Sequence, residues 1–337
     1  MRGLISTNEL SAGELSEIFN LAERGKKSNW KEFSAALAGK VCGLLFFDPS
    51  LRTRASLQSG IAKLGGGSVA MNAGADTWKL EFGEGAVMDK DTSEHVKEAA
   101  GVLSSYFDLL GVRAFPGLKS FEEDKKDTVL KSFTKYSKVP VLNLESSMWH
   151  PCQALADGFT LRERFGARLK GKRFLLIWAN HPRQLPMAVP NSTLTIAAQV
   201  GCNVRLACPE GYELDSDVLH AAQNFCEQNG TKLEVTHAQR QAFNGVDVVY
   251  AKSWTPPRYV GRVDEEKEHR KTLSHWMVTE ELMGKTENGV FMHCLPVRRN
   301  VVVADGVLDS SRSIVQSQAA NRLHAQNGFL VRSISNS

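Results

Sequence analysis

Short apolar runs recur along the chain at Val41–Phe47, Ser68–Met71, Phe107–Val112, Val139–Leu142, Arg173–Trp178, Asn203–Cys208, Lys232–Val235, Asp247–Tyr250 and Gly289–Met292, each bounded by polar or glycine-containing segments. Runs this short and continuous predict strands buried on both faces. Between them, Arg54–Leu64, Ser93–Tyr106, Gln153–Phe165, Ser192–Val200 and Asp215–Asn229 carry apolar residues at helical spacing. Alternation of strands and helices predicts an α/β fold with mostly parallel sheets, because parallel neighbours require a crossover connection.

A chain of 337 residues exceeds the ~100–200 residues that one core usually organises, so two Rossmann-like domains are expected, with the active site in the cleft between them. No proline- or serine-rich linker, internal repeat or low-complexity tract marks the join. The boundary is placed at the helix opening near His150-Pro151, giving a first domain over 1–149 and a second over 150–316. The last helical stretch, Ser317–Phe329 within about 317–337, is expected to return to the first domain.

Charge and composition narrow the function. The net charge of +4 comes from 41 basic and 37 acidic residues spread along the chain, without the basic run of a nucleic-acid-binding arm. Local anion pockets stay open. The six cysteines, Cys42, Cys152, Cys202, Cys208, Cys226 and Cys294, form no CxxC pair, so neither a metal site nor a disulfide framework is indicated. Reduced thiols point to the cytoplasm. Met1–Asn20 lacks an apolar core of signal-peptide length and no stretch approaches the ~20 apolar residues of a membrane span.

Phe46-Phe47-Asp48-Pro49 followed by Ser50-Leu51-Arg52-Thr53-Arg54 is a strand that opens into a helix whose first turn is rich in hydroxyls and arginines. Free amides and the positive end of the helix dipole favour an anion there, and forked guanidiniums with hydroxyl donors suit phosphate. A serine N-cap flanked by surface arginines gives the same local pattern. Neither a GxxxxGK[ST] loop nor a GxGxxG turn is present, which disfavours nucleotide or dinucleotide binding.

Other candidates lie at strand ends and helix starts. Arg113 follows the strand Phe107–Val112, where open α/β sheets place ligand groups, although an ion pair would satisfy it equally. His150-Pro151-Cys152-Gln153, with Asp157 further on, opens a helix with an imidazole that either donates to a carbonyl or caps the helix. His293-Cys294-Leu295-Pro296 follows the strand Gly289–Met292; Cys294 is either a nucleophile or a buried inert thiol. Arg298 and Arg299 read as solvated charges, and Arg322 matters only if the last helix returns. Trp78 stands in a polar loop, as an interface residue or packed beneath it.

Together, Ser50–Arg54, Arg113, His150–Gln153 and His293–Pro296, in this order and spacing, resemble the aspartate and ornithine carbamoyltransferases, and the match runs along nearly the whole chain. The resemblance implies a homotrimer acting in arginine biosynthesis, and carbamoyl transfer requires no metal or organic cofactor. Carbamoyl phosphate is implied to bind at Ser50, Leu51, Arg52, Thr53, Arg113, His150, Pro151, Cys152, Gln153, Cys294, Leu295 and Arg322, with Trp78 reaching in from a neighbouring subunit. Arg113, His150, Thr53 and Cys294 are the implied catalytic residues.

The Ser-Met-Gly loop of ordinary ornithine enzymes is missing. Trp78, Glu145, His181-Pro182-Arg183-Gln184-Leu185-Pro186 and Lys252 resemble the N-acylornithine branch instead. In that branch Glu145, His181, Arg183, Lys252 and Leu295 bind the acylated amino acid, and the neighbour's Ser93 faces its acyl end. The acetyl type has glutamate where this chain has Ser93 and lysine where it has Val302. Both departures give N-succinyl-L-ornithine as the expected acceptor, with N-acetyl-L-ornithine as the alternative and a silent carbamoyl-phosphate-binding homologue as the remoter one.

Overall fold

Continuous apolar runs become strands because both faces are covered and every backbone group must find a ladder partner. The computed structural model describes residues 1–167 and 169–335; the last two positions of the expected 317–337 segment lie outside these. The strands are β1 Val41–Phe46, β2 Gly67–Asn72, β3 Leu80–Glu81, β4 Glu94–His95, β5 Leu109–Arg113, β6 Val141–Glu145, β7 Arg173–Trp178, β8 Asn203–Ala207, β9 Leu233–Thr236, β10 Val248–Lys252 and β11 Val290–Met292. The helices are α1 Ala12–Lys27, α2 Arg52–Lys63, α3 Val96–Tyr106, α4 Phe121–Lys125, α5 Thr128–Tyr136, α6 Pro151–Phe165, α7 Ala188–Gln199, α8 Ser216–Asn229, α9 Gln239–Ala242, α10 Val263–Thr272, α11 Glu280–Met283, α12 Asp305–Leu308 and α13 Val315–Ser335.

Contacts divide the chain into two units. The first comprises Met1–Gly117, Glu122–Leu155 and the chain from Arg322; the second comprises Leu118–Phe121 and Ala156–Asn321. The first holds a parallel sheet of order β2-β1-β5-β6 and a small parallel pair, β3-β4. The second holds a parallel sheet of order β11-β10-β7-β8-β9. All nine expected strands are present within a few residues of their expected limits.

Two expectations are corrected. The helix expected from Ser93 begins at Val96, because Glu94–His95 pairs with Leu80–Glu81 and the His95 ring accepts from the Lys97 amide, capping α3. Arg113 and Lys252, expected just beyond their strands, are the terminal residues of β5 and β10.

In the first unit the carboxyl part of α13 is drawn close to α1 and α2. A Cβ on Gly328 would come within 2.4 Å of the Ile18 carbonyl oxygen, so only glycine permits this approach. Asn327 Nδ2 donates to the Gly60 carbonyl on α2 at 3.1 Å, and Arg332 pairs with Glu14 and Glu17 on α1. These contacts fix the helix that carries Arg322. In the second unit α7 is buried along its whole length. Its Thr193 hydroxyl donates to Asp157 on α6 at 3.2 Å, answering part of the polar group burial.

Candidate functional site

In the first unit, β1 runs into the N-terminus of α2, and the Ser50 hydroxyl accepts from the Thr53 amide at 3.2 Å. Leu51 is left exposed and Thr53 buried. Arg54 turns aside to Asn72 Oδ1, 3.2 Å away, and stacks over Phe46, so Arg52 and not Arg54 is the arginine of this turn whose charge acts on His150.

Arg322 of α13 is buried beside that turn. It donates to Gln153 Oε1 at 2.8 Å and to Thr53 Oγ1 at 2.7 Å. Three of the expected phosphate-site residues, from helices α2, α6 and α13, thus meet around one guanidinium. Burial pulls Arg322 below its ordinary value, yet a guanidinium keeps its proton at neutral pH.

Arg113, Glu145 and His150 form a second cluster in the same unit. Arg113 pairs with Glu145, whose carboxylate lies 3.4 Å from His150 Nε2. Burial drives His150 well below the ordinary value of 6.5, and the charges of Arg322, Arg113 and Arg52 act in the same direction. The imidazole is therefore neutral. Among the described residues, Nε of Arg113 and Nε of Arg322 are buried without an acceptor. A buried orphan donor costs ~1–3 kcal/mol, which an anionic ligand would recover.

A pH dependence of stability follows. Below pH 6.5 the unfolded chain binds a proton at this histidine that the native chain refuses, so stability falls as pH is lowered through that value. Denaturant unfolding of the wild type and His150→Gln at several pH values should show a shallower acid decline in the variant. Equal slopes would mean that other groups control it.

In the second unit, the His293 amide donates to Gln318 Oε1 at 2.9 Å while Gln318 Nε2 donates to Asp157 at 2.7 Å. Asp157 therefore anchors the turn after β11. The Leu295 amide donates to His293 Nδ1 at 2.9 Å, and Leu295 adopts a left-handed backbone before the cis Leu295-Pro296 bond. Cys294 is half-buried; the other five cysteines are buried.

His181 and Arg183 share a turn, the His181 Nδ1–H donating to the Arg183 carbonyl at 3.1 Å. Arg298, read from sequence as a solvated charge, donates from Nε to His181 Nε2 at 3.0 Å. Burial holds His181 down at about 4; the Arg183 backbone contact opposes this, while Lys252, Arg298 and Arg270 add to it. No hydrogen bond or ion pair engages the Lys252 ammonium among the described residues. A neutral imidazole ringed by cations is a place for a carboxylate. No spacing signal joined Arg298 to His181 across the intervening chain.

Trp78 and Ser93 lie apart from these clusters in the hydrogen-bond network. Trp78 is 59% exposed and donates to Glu94 at 2.7 Å, so the carboxylate beside Ser93 is already engaged. The Ser93 amide donates to the Lys79 carbonyl, fixing that loop against β3. No described helix is long and apolar enough to cross a membrane.

Residues 2–163 match the family model "Aspartate/ornithine carbamoyltransferase, carbamoyl-P binding domain", and residues 187–332 match "Aspartate/ornithine carbamoyltransferase, Asp/Orn binding domain". An N-acetylornithine carbamoyltransferase of Xanthomonas axonopodis pv. citri is 45% identical, over 98% of this chain and 96% of that protein. An N-succinylornithine carbamoyltransferase of Bacteroides fragilis is 37% identical, over 84% of each. A crystal structure of N-acetyl-L-ornithine transcarbamylase with one glutamate changed to serine, complexed with carbamoyl phosphate and N-succinyl-L-norvaline, superposes with a TM-score of 0.95 at 44% identity. It covers 98% of this chain and 99% of that one.

Proposed function

The chain belongs to the aspartate/ornithine carbamoyltransferase family, on its N-acylornithine branch, and from that premise we propose that it carries the carbamoyl group of carbamoyl phosphate to the δ-amine of N-acetyl-L-ornithine. The observation that carries the donor half is the buried set Thr53, Gln153 and Arg322 beside Arg113 and His150, with two guanidinium Nε donors lacking acceptors. The acetyl acceptor rests on whole-chain likeness, 45% identity against 37% for the succinyl relative.

The phosphate is held by the N-terminus of α2, Ser50, Arg52, Thr53 and Arg322, with Trp78 supplied by a neighbouring subunit of a homotrimer. Arg113, His150 and the Thr53 hydroxyl donate to the carbamoyl oxygen. Backbone at Leu51, Pro151, Cys152 and Leu295, with the Gln153 side chain, orients the amide end. The acceptor's α-carboxylate meets Lys252, His181 and Arg183, and Glu145 takes an N–H of the amino acid.

An ordinary primary amine titrates near ~10.4, so attack needs its neutral form, which surrounding guanidiniums favour. The nitrogen lone pair forms the new C–N bond as the C–O bond to phosphate breaks, and the departing phosphate accepts the amine proton. Cys294 orients the amine and forms no covalent bond in this scheme. Neutral His150 donates to the developing oxyanion without bringing a further charge that would repel the neighbouring arginines.

N-Succinyl-L-ornithine is a second reading, favoured by Ser93 and Val302, where the acetyl type has glutamate and lysine. A glutamate-to-serine change in an N-acetyl-L-ornithine enzyme accompanies bound N-succinyl-L-norvaline, and serine is what this chain carries at Ser93. Side-by-side assays of the two acylornithines with carbamoyl phosphate decide between the readings. The higher kcat/KM is expected for the acetyl compound, and a higher value for the succinyl compound would replace the first reading with the second. In Ser93→Glu any succinyl turnover should fall by about 10²-fold or more, since juxtaposed like charges cost several kcal/mol.

A further inference from the structure

Outside the residues given roles above, α10 carries a buried ion pair one turn apart, with Glu266 fully buried and Arg270 4% exposed. Two buried charges are an expensive way to fill space, and an apolar pair of similar volume is often equally stable. What an apolar pair lacks is a rigid fork of donors.

Every nitrogen of the Arg270 fork is engaged. One terminal nitrogen donates to the His181 carbonyl at 3.1 Å and the other to the Trp254 carbonyl at 2.9 Å, while Nε donates to Glu266 at 2.9 Å. The free oxygen of Glu266 accepts from the Thr255 hydroxyl at 3.1 Å, and that hydroxyl accepts from the Leu185 amide at 3.2 Å. The Arg270 backbone carbonyl takes Asn180 Nδ2 at 3.0 Å, and the guanidinium lies over the Trp178 ring, 5.3 Å from its centroid.

All of these acceptors and donors belong to two segments, the loop after β7 that carries His181 and Arg183 and the loop after β10 that follows Lys252. The same two segments touch directly where the Ala179 amide donates to the Lys252 carbonyl and Thr255 to the Leu185 carbonyl. We propose that the Glu266–Arg270 pair is the positioning element of the acceptor site, setting the spacing of the two loops so that His181, Arg183 and Lys252 converge on the acylornithine carboxylate. This rests on the acceptor reading above. Arg270 and Glu266 touch no substrate; they act through the backbone of the loops.

The test uses the full chain with both charges replaced together, Glu266→Gln with Arg270→Met, so that no orphan charge remains buried. Arg270→Lys serves as the companion, since an ammonium keeps the charge but cannot span both carbonyls. Amide hydrogen exchange over 180–186 and 253–255 is expected to quicken in both variants. The KM for whichever acylornithine the wild type uses should rise about tenfold, as for the loss of one charge-assisted hydrogen bond, with the KM for carbamoyl phosphate unchanged. Unchanged exchange in folded double variant would overturn the proposal, as would faster exchange with an unchanged acceptor KM. A wild type that carbamoylates neither acylornithine would instead overturn the acceptor reading, leaving the exchange result to judge whether the pair holds the loops.

Discussion

Arg113→Ala is expected to lower kcat for carbamoyl transfer by ~10²–10³-fold at saturating concentrations of both substrates, the usual effect of removing one donor to a developing oxyanion. The terminal residue of β5 is held rigidly by the sheet, and its neighbour on β6, Glu145, steers the guanidinium through an ion pair. Its Nε has no acceptor among the described residues. Charge on the carbamoyl oxygen grows only as the amine attacks, so the loss should fall on kcat more than on either KM. Truncation also leaves the Glu145 carboxylate buried without its partner, so thermal unfolding must be followed in parallel. A folded Arg113→Ala enzyme with near wild-type turnover would remove Arg113 from the mechanism.

Arg322→Met should act differently, raising the KM for carbamoyl phosphate by ~10–150-fold, the equivalent of one charge-assisted hydrogen bond of ~1.5–3 kcal/mol. The guanidinium is already held by Thr53 and Gln153 within the fold, so the phosphate contact proposed for it would be made on binding, before reaction begins. Methionine preserves much of the volume and avoids a cavity. Equilibrium binding of carbamoyl phosphate by calorimetry, without acceptor, separates this from a catalytic defect. Unchanged affinity would mean that Arg322 only braces α6 and α2.

What the sequence revealed follows from the range of the interactions. β1, β5, β7 and β10 were legible because each is an apolar run buried on both faces, a property written in consecutive residues. The Ser50–Thr53 turn was legible for the same local reason. Ser93 was misplaced into a helix because the pairing of Glu94–His95 with Leu80–Glu81 is made across a loop and overrides the helical pattern. α7 was found short, since the polar letters Asn191 to Thr195 hide a helix buried on every side. Neither the contact of Arg298 with His181 nor that of Arg270 with Trp254 leaves a periodic trace, because strand topology alone brings those segments together.

The seat of Arg322 on α13 has a consequence for biosynthesis. The α2 turn and the β5 arginine leave the ribosome well before the guanidinium that joins Thr53 to Gln153, which lies in α13. A nascent chain cannot assemble the proposed phosphate seat until α13 has emerged, so premature release before Arg322 would yield a polypeptide bearing most of the recognisable motifs without the guanidinium that joins Thr53 to Gln153.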